Sequence, residues 1–352
     1  MAVPVISVLM PVYNAGDYIR EAIESILTQT FSDFEFLIIN DGSTDETENI
    51  ILSYTDKRIK YVKNDKNIGL TATLNKGISL TDTKYMARMD ADDIAFQDRL
   101  KVQYDFMEAN PEIGVSGGCF EIFGNTNQLK QHPLSDLEIK ANLLFSCVLC
   151  HPAVILRTAL LKKNNITYGV TFDYDDEFEH KILELEDFGL WHKLKSVTNF
   201  ENINHPLIKY RMIGQNLSTK KEDIILERKK QFYSHVLKEL NIVPNNINLL
   251  LHISPKYIFK SKSNKDIYSF KSYLNEILKN NKQLKIYNEI ELEKVVKQRW
   301  IHLFYFLPEH NYKSVYAYLM LSKGLNIEQV KYLVIFTINK FIRKRKLNSN
   351  IN

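Results

Sequence analysis

Three carboxylates in four residues, Asp90-Ala91-Asp92-Asp93, form the densest chemical feature of the chain. They follow Tyr85-Met86-Ala87-Arg88-Met89, which reads as a buried strand. Carboxylates this close repel one another at a strand end unless a cation or donor groups sit among them. Hard oxygen ligands suit Mg²⁺ or Mn²⁺, and such a metal commonly shares its shell with substrate phosphates. Taken alone, the cluster is equally a solvated acidic turn. A second acidic pair, Glu186-Asp187, precedes Phe188-Gly189-Leu190-Trp191. One of these carboxylates could act as a general base, or the pair could simply complement a helix dipole. In Asn40-Asp41-Gly42-Ser43-Thr44-Asp45, Asp41 could accept a hydrogen bond from a nucleobase N–H, with loop amides near a helix N-terminus. A turn and an N-cap account better for Ser43, Thr44 and Asp45 individually. Cys147-Val148-Leu149-Cys150-His151 has the spacing of a c-type haem attachment site. Haem attachment needs an exported chain, and zinc would need a fourth ligand. Two small buried hydrophobes are the expectation for these cysteines.

The elements that must hold these groups alternate. Val5–Pro11 and Phe34–Asn40 are apolar runs of the kind expected of strands buried on both faces. Between them, Ile19, Ala22, Ile23, Ile26 and Leu27 fall at helical spacing within 18–28. A helix over 44–55 opened by Ser43 or Thr44, a strand at 59–63, a helix over 70–80, a strand at 84–89 and a helix over 99–109 follow. Repeated β-α-β units imply a parallel sheet flanked by helices, with ligands beyond the carboxyl ends of its strands. Tyr13-Asn14, Asp41–Ser43 and Asp90–Asp93 all fall at such ends.

With 352 residues the chain has room for about two domains. Its 45% hydrophobic and 25% charged content excludes a disordered chain, a collagen and a disulfide-stapled miniprotein. Three cysteines argue against an oxidised framework. No basic segment precedes Val3–Val12, which contains Pro4 and Pro11, so no signal peptide is expected, and no apolar run is long enough to span a membrane. Residues 220–352 carry 25 Lys+Arg against 11 Asp+Glu, whereas residues 1–219 carry 21 against 31. Eleven of the 12 glycines lie at or before Gly214. These shifts place a domain boundary near Thr219. Beyond it, helices are expected over 222–240, 295–307 and 327–346, with a linker at 241–248. In the last helix Val330, Leu333, Val334, Ile338, Phe341 and Ile342 recur at helical spacing beside six Lys/Arg. Such a helix can lie on an anionic membrane without spanning it, or its apolar face can pack on the protein.

The order of the clusters is more specific than any one of them. Pro11-Val12-Tyr13-Asn14, Asp41-Gly42-Ser43-Thr44-Asp45, Asn67-Ile68-Gly69, Asp90-Ala91-Asp92-Asp93, His151-Pro152 and Glu186-Asp187 with Leu190-Trp191 together resemble the family-2 glycosyltransferases. The resemblance implies a GT-A fold: an α/β nucleotide-sugar-binding domain over 1–219, with a mostly parallel sheet flanked by helices. The basic, mainly helical region 220–352 lies outside the likeness. Carried over position by position, it implies that Pro11 and Tyr13 line a nucleobase pocket and Asp41 binds the base edge. Asn67 and Gly69 shape the loop beside the nucleotide, and Asp90 lies near the ribose. Asp92 holds Mn²⁺ or Mg²⁺ at the diphosphate, Asp187 is the base with Glu186 beside it, and Trp191 shapes an acceptor pocket or packs in the core. The implied reaction is inverting transfer from a nucleotide sugar, UDP-linked by default, to a hydroxyl of a glycan or lipid-linked glycan. A β-linkage in bacterial capsule or lipopolysaccharide synthesis would follow. The expected place is the cytoplasm, peripheral to the inner face of the plasma membrane, with no nucleic-acid partner.

Two departures stand out. Ile213 occupies a position where many relatives have His, with Gln215 or Ser218 as possible replacements, and Asn40 stands where Asp is frequent. Rival readings are a nucleotidyltransferase or NAD-dependent enzyme on a similar sheet, and a non-catalytic basic module. Tyr13-Asn14-Ala15-Gly16 after the first strand is not the G-x-G-x-x-G of dinucleotide sites, and no nucleic-acid motif is present.

Overall fold

In the computed structural model, the structure describes residues 3–124, 126–169, 185–212, 222–322 and 324–349, with only the backbone of 222 and 341–349. The chain separates into two compact units, Met1–Arg228 and Lys229–Asn352, the division falling within the helix Glu222–Val236. The boundary expected near Thr219 and the residues Ile213, Gln215 and Ser218 lie outside the described residues.

The first unit is built on a nine-stranded sheet. Its strands are β1 (Ile6–Val12), β2 (Phe34–Asn40), β3 (Ile59–Lys63), β4 (Tyr85–Arg88), β5 (Ile94–Ala95), β6 (Ile113–Gly124), β7 (Gln128–Lys130), β8 (Ile155–Arg157) and β9 (Asn199–Met212). The helices are α1 (Ile19–Leu27), α2 (Thr47–Leu52), α3 (Leu70–Leu80), α4 (Arg99–Ala109), α5 (Asp136–Leu143), α6 (Thr158–Lys163) and α7 (Glu186–Leu194). The order β3-β2-β1-β4 is parallel throughout, as the β-α-β reading requires. Beyond β4 the sheet is mixed. β8 runs antiparallel to β4 and β6, β5 antiparallel to β9, and β9 pairs in parallel with β6 through several register shifts. The fold is a GT-A-type α/β sheet whose second half mixes parallel and antiparallel pairs.

β1 and β2 are buried at every position, so their alternating side chains feed two cores. Ile6, Val8, Met10 and Val12 pack with Ile19, Ile23 and Ile26 of α1 on one face. Leu9, Leu37 and Ile39 pack with Leu74 and Ile78 of α3 and with Leu190, Trp191 and Leu194 of α7 on the other. Trp191 is therefore core, fully buried, with its ring edge-on to His151 and Phe200.

α2 is shorter than its sequence suggests and starts at Thr47, not at Ser43 or Thr44. The reason is competition. Ser43 Oγ accepts from Asn14 N at 3.0 Å, and Thr44 N donates to Asn14 Oδ1 at 2.8 Å. These residues tie the β2 loop to the β1 loop and cannot cap the helix. Asp45 does both, accepting from Gly16 N across the loops and from Thr47 N at the helix start.

Most of the second unit is helical: Asn246–Ile253, Lys265–Leu284, Glu289–Phe304, Leu307–His310, Tyr312–Ser322 and Ile327–Ser349. The stretch 241–248 is only half a linker, because Asn245 accepts from Asn248 N at 2.8 Å and opens a helix. The helix expected over 222–240 closes in a 3₁₀ turn at Leu237–Leu240. Ile267, Phe270, Leu274 and Ile277 form one buried stripe, and Trp300 stacks on Tyr318 with ring centroids 4.6 Å apart.

Candidate active site

Parallel strands put their carboxyl ends on one edge. The order β3-β2-β1-β4 reverses direction of growth between β1 and β4, which is where a crevice opens in such sheets. Tyr13 follows β1 with half its surface exposed, above the buried Pro11. Asp41 follows β2 and is buried. Its Oδ1 accepts from Asn64 Nδ2 at 2.8 Å and Ile68 N at 2.9 Å, and its Oδ2 accepts from Gly69 N at 2.9 Å. Asp41 thus holds the loop that carries Asn67 and Gly69, an arrangement its spacing did not disclose. Asn67 Oδ1 also accepts from Gly69 N, at 3.1 Å. Gly69 precedes α3 with φ +90, and Gly42 has φ +71 with a Cβ position only 2.7 Å from the Lys66 carbonyl carbon. A side chain at Gly42 would drive these two loops apart. Asn40, at the position where Asp is frequent, is buried, with Nδ2 on Tyr61 Oη and Oδ1 on Ser43 N.

Asp90, Asp92 and Asp93 follow β4 and converge, each offering an oxygen within 4.8 Å of the others. Like charges at that distance repel by on the order of 3 kcal/mol per pair at a protein-like effective dielectric. Burial first, and then the Asp90 charge, pushes Asp92 up to about 6. The same two causes, with Asp92 added, raise Asp93 well above the carboxylate range. Two guanidinium groups answer this charge in part. Arg88 is buried in β4 and pairs with Asp90, two residues on and so on the same side of the extended chain. Burial opposes the Arg88 charge, and Asp90 outweighs it, leaving the guanidinium firmly protonated. Arg211, near the end of β9, donates Nε–H to Asp92 O at 2.8 Å, while its backbone N–H donates to Asp93 Oδ1 at 2.9 Å. Arg211 also pairs with Glu21. Among the described residues, the buried Asp93 Oδ2 meets no hydrogen-bond donor. An excess of negative charge, three hard oxygen donors and one orphaned carboxylate oxygen fit Mg²⁺ or Mn²⁺.

Glu186 and Asp187 open α7, each half-buried at the surface yet surrounded mainly by protein. Burial first, then the neighbouring Asp187 charge, pushes Glu186 up to about 8. Burial also raises Asp187, and two donors resist that shift: Phe188 N at 2.8 Å on Oδ1, and, at 3.6 Å on Oδ2, the Cys147 thiol, whose single S–H is shared with Leu149 O at 3.3 Å. The Arg88 charge lowers both members of the pair as well as Asp92 and Asp93, so it acts on both groups. Sequence reasoning passed over Arg88, although a charged residue inside an apolar strand was a signal. It also passed over Arg211 as a partner of the cluster and Cys147 as a partner of Asp187. The two motif cysteines have different surroundings: Cys150 packs in the α1-side core, whereas Cys147 faces Asp187. His151 is buried against Tyr168, with Nε2 and the phenol oxygen 3.0 Å apart, and burial pushes its pKa well down.

The parallel half of the sheet, with ligand-type groups along its carboxyl edge, has the arrangement of an α/β nucleotide-binding domain. The family described as Glycosyl transferase family 2 matches residues 7–184, and the chain belongs to it. An uncharacterized glycosyltransferase of Haemophilus influenzae is 29% identical over 267 residues, spanning 70% of this chain and 80% of that relative. One from Methanocaldococcus jannaschii is 34% identical over 220 residues, 59% of this chain and 71% of that one. Among solved structures, S. aureus TarS 1–349 in complex with UDP-GlcNAc has the same fold, with a TM-score of 0.54 and 16% identity over 89% of each chain. Family membership decides against the dinucleotide-enzyme, nucleotidyltransferase and non-catalytic readings.

Proposed function

We propose that this glycosyltransferase is metal-dependent and inverting. It moves a sugar from a UDP-sugar to a hydroxyl of a glycan or lipid-linked glycan, forming a β-linkage in surface polysaccharide synthesis. The observation that carries this reading is the presence of two separate carboxylate groups. One is a three-carboxylate cluster at a strand end beside guanidinium groups, and the other is a pair at a helix start whose Asp187 accepts from neutral donors. The donor nucleotide is the family's commonest, and the UDP-GlcNAc of the TarS complex supports it. In this reading Asp92 holds Mg²⁺ or Mn²⁺ at the diphosphate, with Asp90 near the ribose. Tyr13 offers an exposed ring to the base beside Pro11. Asp41 has three acceptor positions filled by protein, and a carboxylate has about four, which leaves one for a base N–H. Asn67 and Gly69 fix the loop at its side.

A bound divalent cation supplies charge stabilisation to the leaving diphosphate. The chain's own residues do the rest. Asp187 accepts the acceptor's hydroxyl proton as that oxygen bonds to the anomeric carbon. The bond from that carbon to the diphosphate oxygen breaks on the opposite side, and its electron pair leaves with UDP. One displacement inverts the centre, so an α-linked donor gives a β-linked product. Glu186, pushed up to about 8, is largely protonated at neutral pH and unsuited to take the proton. Burial raises Asp187 as well, and Phe188 N and the Cys147 thiol resist that rise. The enzyme works in the cytoplasm, against the inner face of the plasma membrane where the acceptor is lipid-linked.

The test is UDP release from a panel of nucleotide sugars, with and without glycan acceptors and with Mn²⁺ or EDTA. One UDP-sugar should yield UDP in Mn²⁺ and none in EDTA. Full activity in excess EDTA would remove the metal from the reading, and an α-linked product from an α-linked donor would remove inversion.

A further inference from the structure

In the second unit, the hairpin of helices Tyr312–Ser322 and Ile327–Ser349 shows apolar stripes to solvent rather than to the core. Tyr312, Tyr316 and Met320 recur every four residues on the first helix, and Val330, Val334 and Ile338 do so on the second. Each of the six leaves between 46% and 64% of its area exposed. The opposite sides are committed inward. Ala317 and Tyr318 are buried, Gln329 Nε2 donates to Tyr318 Oη at 2.8 Å, and Tyr332 Oη donates to Tyr305 O at 2.7 Å. The outward stripes are therefore not a face waiting for the unit's own core. Among the described residues no helix is long and apolar enough to cross a membrane.

Charge identifies the occupant. From 311 to 349 the sequence carries eight Lys/Arg and one acidic residue, Glu328. Lys340 bridges the two helices, its ammonium 4.9 Å from the Tyr312 ring centroid and 5.8 Å from that of Phe336. Arg343-Lys344-Arg345-Lys346 continue the second helix. A second copy of this chain would bring like charge to like charge. An anionic lipid surface accepts both the cations and the aliphatic and tyrosine side chains. We infer that this hairpin is a peripheral docking surface for anionic phospholipid bilayers, lying in the interface without spanning it. The inference gives a physical attachment point to the membrane side of the reading above, and it rests on that reading only for the identity of the acceptor.

The test is co-sedimentation of the full chain with vesicles of phosphatidylglycerol and phosphatidylcholine, against phosphatidylcholine alone, at low and high salt. A V334E/I338E double variant and light scattering of both proteins without lipid complete it. The wild type should pellet with anionic vesicles at low salt and release at high salt. The double variant should lose at least about tenfold in partitioning, with an unchanged Tm and unchanged transfer to a soluble acceptor. Absence of binding to anionic vesicles at low salt would overturn the inference. So would a wild-type dimer that the double variant splits without any lipid binding, since the face would then be a self-association interface. Neither result bears on UDP release, which tests the catalytic reading separately.

Discussion

The first unit holds two groups of adjacent carboxylates, and the protein surrounds them with different partners. Asp90, Asp92 and Asp93 lie beyond a strand end with the Arg88 guanidinium on Asp90 and Arg211 on the backbone and side chain of the next residues. Glu186 and Asp187 open a helix, where the donors touching Asp187 are an amide and a thiol, both neutral. Burial and mutual repulsion raise Asp92 and Asp93 in spite of the cationic neighbours, and a bound cation would relieve that crowding. Burial and repulsion raise the second group too, but the donors on Asp187 are neutral and the pair is suited to exchanging a proton. The same residue type thus becomes a cation site in one setting and a proton-transfer site in the other.

Exchange of the two roles would break this comparison, and the largest effect should come from the pair. Asp187→Asn keeps the shape but removes the proton acceptor, so turnover should fall by about 10²–10⁴-fold with donor binding retained. If Asp187→Asn transfers sugar normally while Glu186→Gln does not, the roles within the pair are reversed. Asp92→Ala should lower turnover by at least about a hundredfold, the scale of losing charge stabilisation at a leaving group. Added Mn²⁺ should recover little of it.

A smaller effect sharpens the contrast. Cys147→Ala removes a weak donor from Asp187, and turnover should drop only about threefold to tenfold, with the acid limb of the kcat/KM profile moved to higher pH. Cys147→Ser keeps a donor and should stay near wild type. A normal profile for the alanine variant would show that the thiol does not tune the base.

The smallest effect is on stability. The folded-state pKa of Glu186 is raised from 4.5 to about 8. Its contribution is therefore full below the unfolded value and is lost as pH rises through about 8. Buried histidines such as His151 are shifted down, and their contribution stops changing above roughly 6.5. Between about pH 7 and 8.5 the metal-free enzyme should lose on the order of 1 kcal/mol per pH unit. Chemical denaturation of Glu186→Gln should show a flatter profile over that range.

Much of the first unit was legible: the strand 34–40, buried on both faces, is a continuous apolar run, and the strand 59–63 and the helices 70–80 and 99–109 fall where the periodicity puts them. The α2 start was misplaced because Ser43 and Thr44 serve Asn14, a partner about 30 residues away that no local pattern announces. The antiparallel pairings of β8 with β4 and β6 and of β5 with β9 join segments distant in sequence, so the mostly parallel sheet read from sequence carries an antiparallel part that no local pattern announces. The helix Lys265–Leu284 escaped notice behind its Lys, Asn and Ser residues, although Ile267, Phe270, Leu274 and Ile277 carried the period. At the site, residue types were visible but their partners were not. Asp41 looked free for a ligand and instead spends three acceptor positions on its own loop. Cys147 looked like part of a cysteine motif and instead faces a carboxylate 40 residues on.

The division of labour between the two carboxylate groups is tested most directly by titrating Mn²⁺, in the presence of UDP, into the wild type, Asp92→Ala and Asp187→Asn, with calorimetry or the free-Mn²⁺ paramagnetic resonance signal as readout. The wild type and Asp187→Asn should bind about one Mn²⁺ per chain with similar affinity, and Asp92→Ala should bind at least about tenfold more weakly. Loss of Mn²⁺ binding in Asp187→Asn with full binding in Asp92→Ala would contradict the assignment of the cation to one group and the proton to the other.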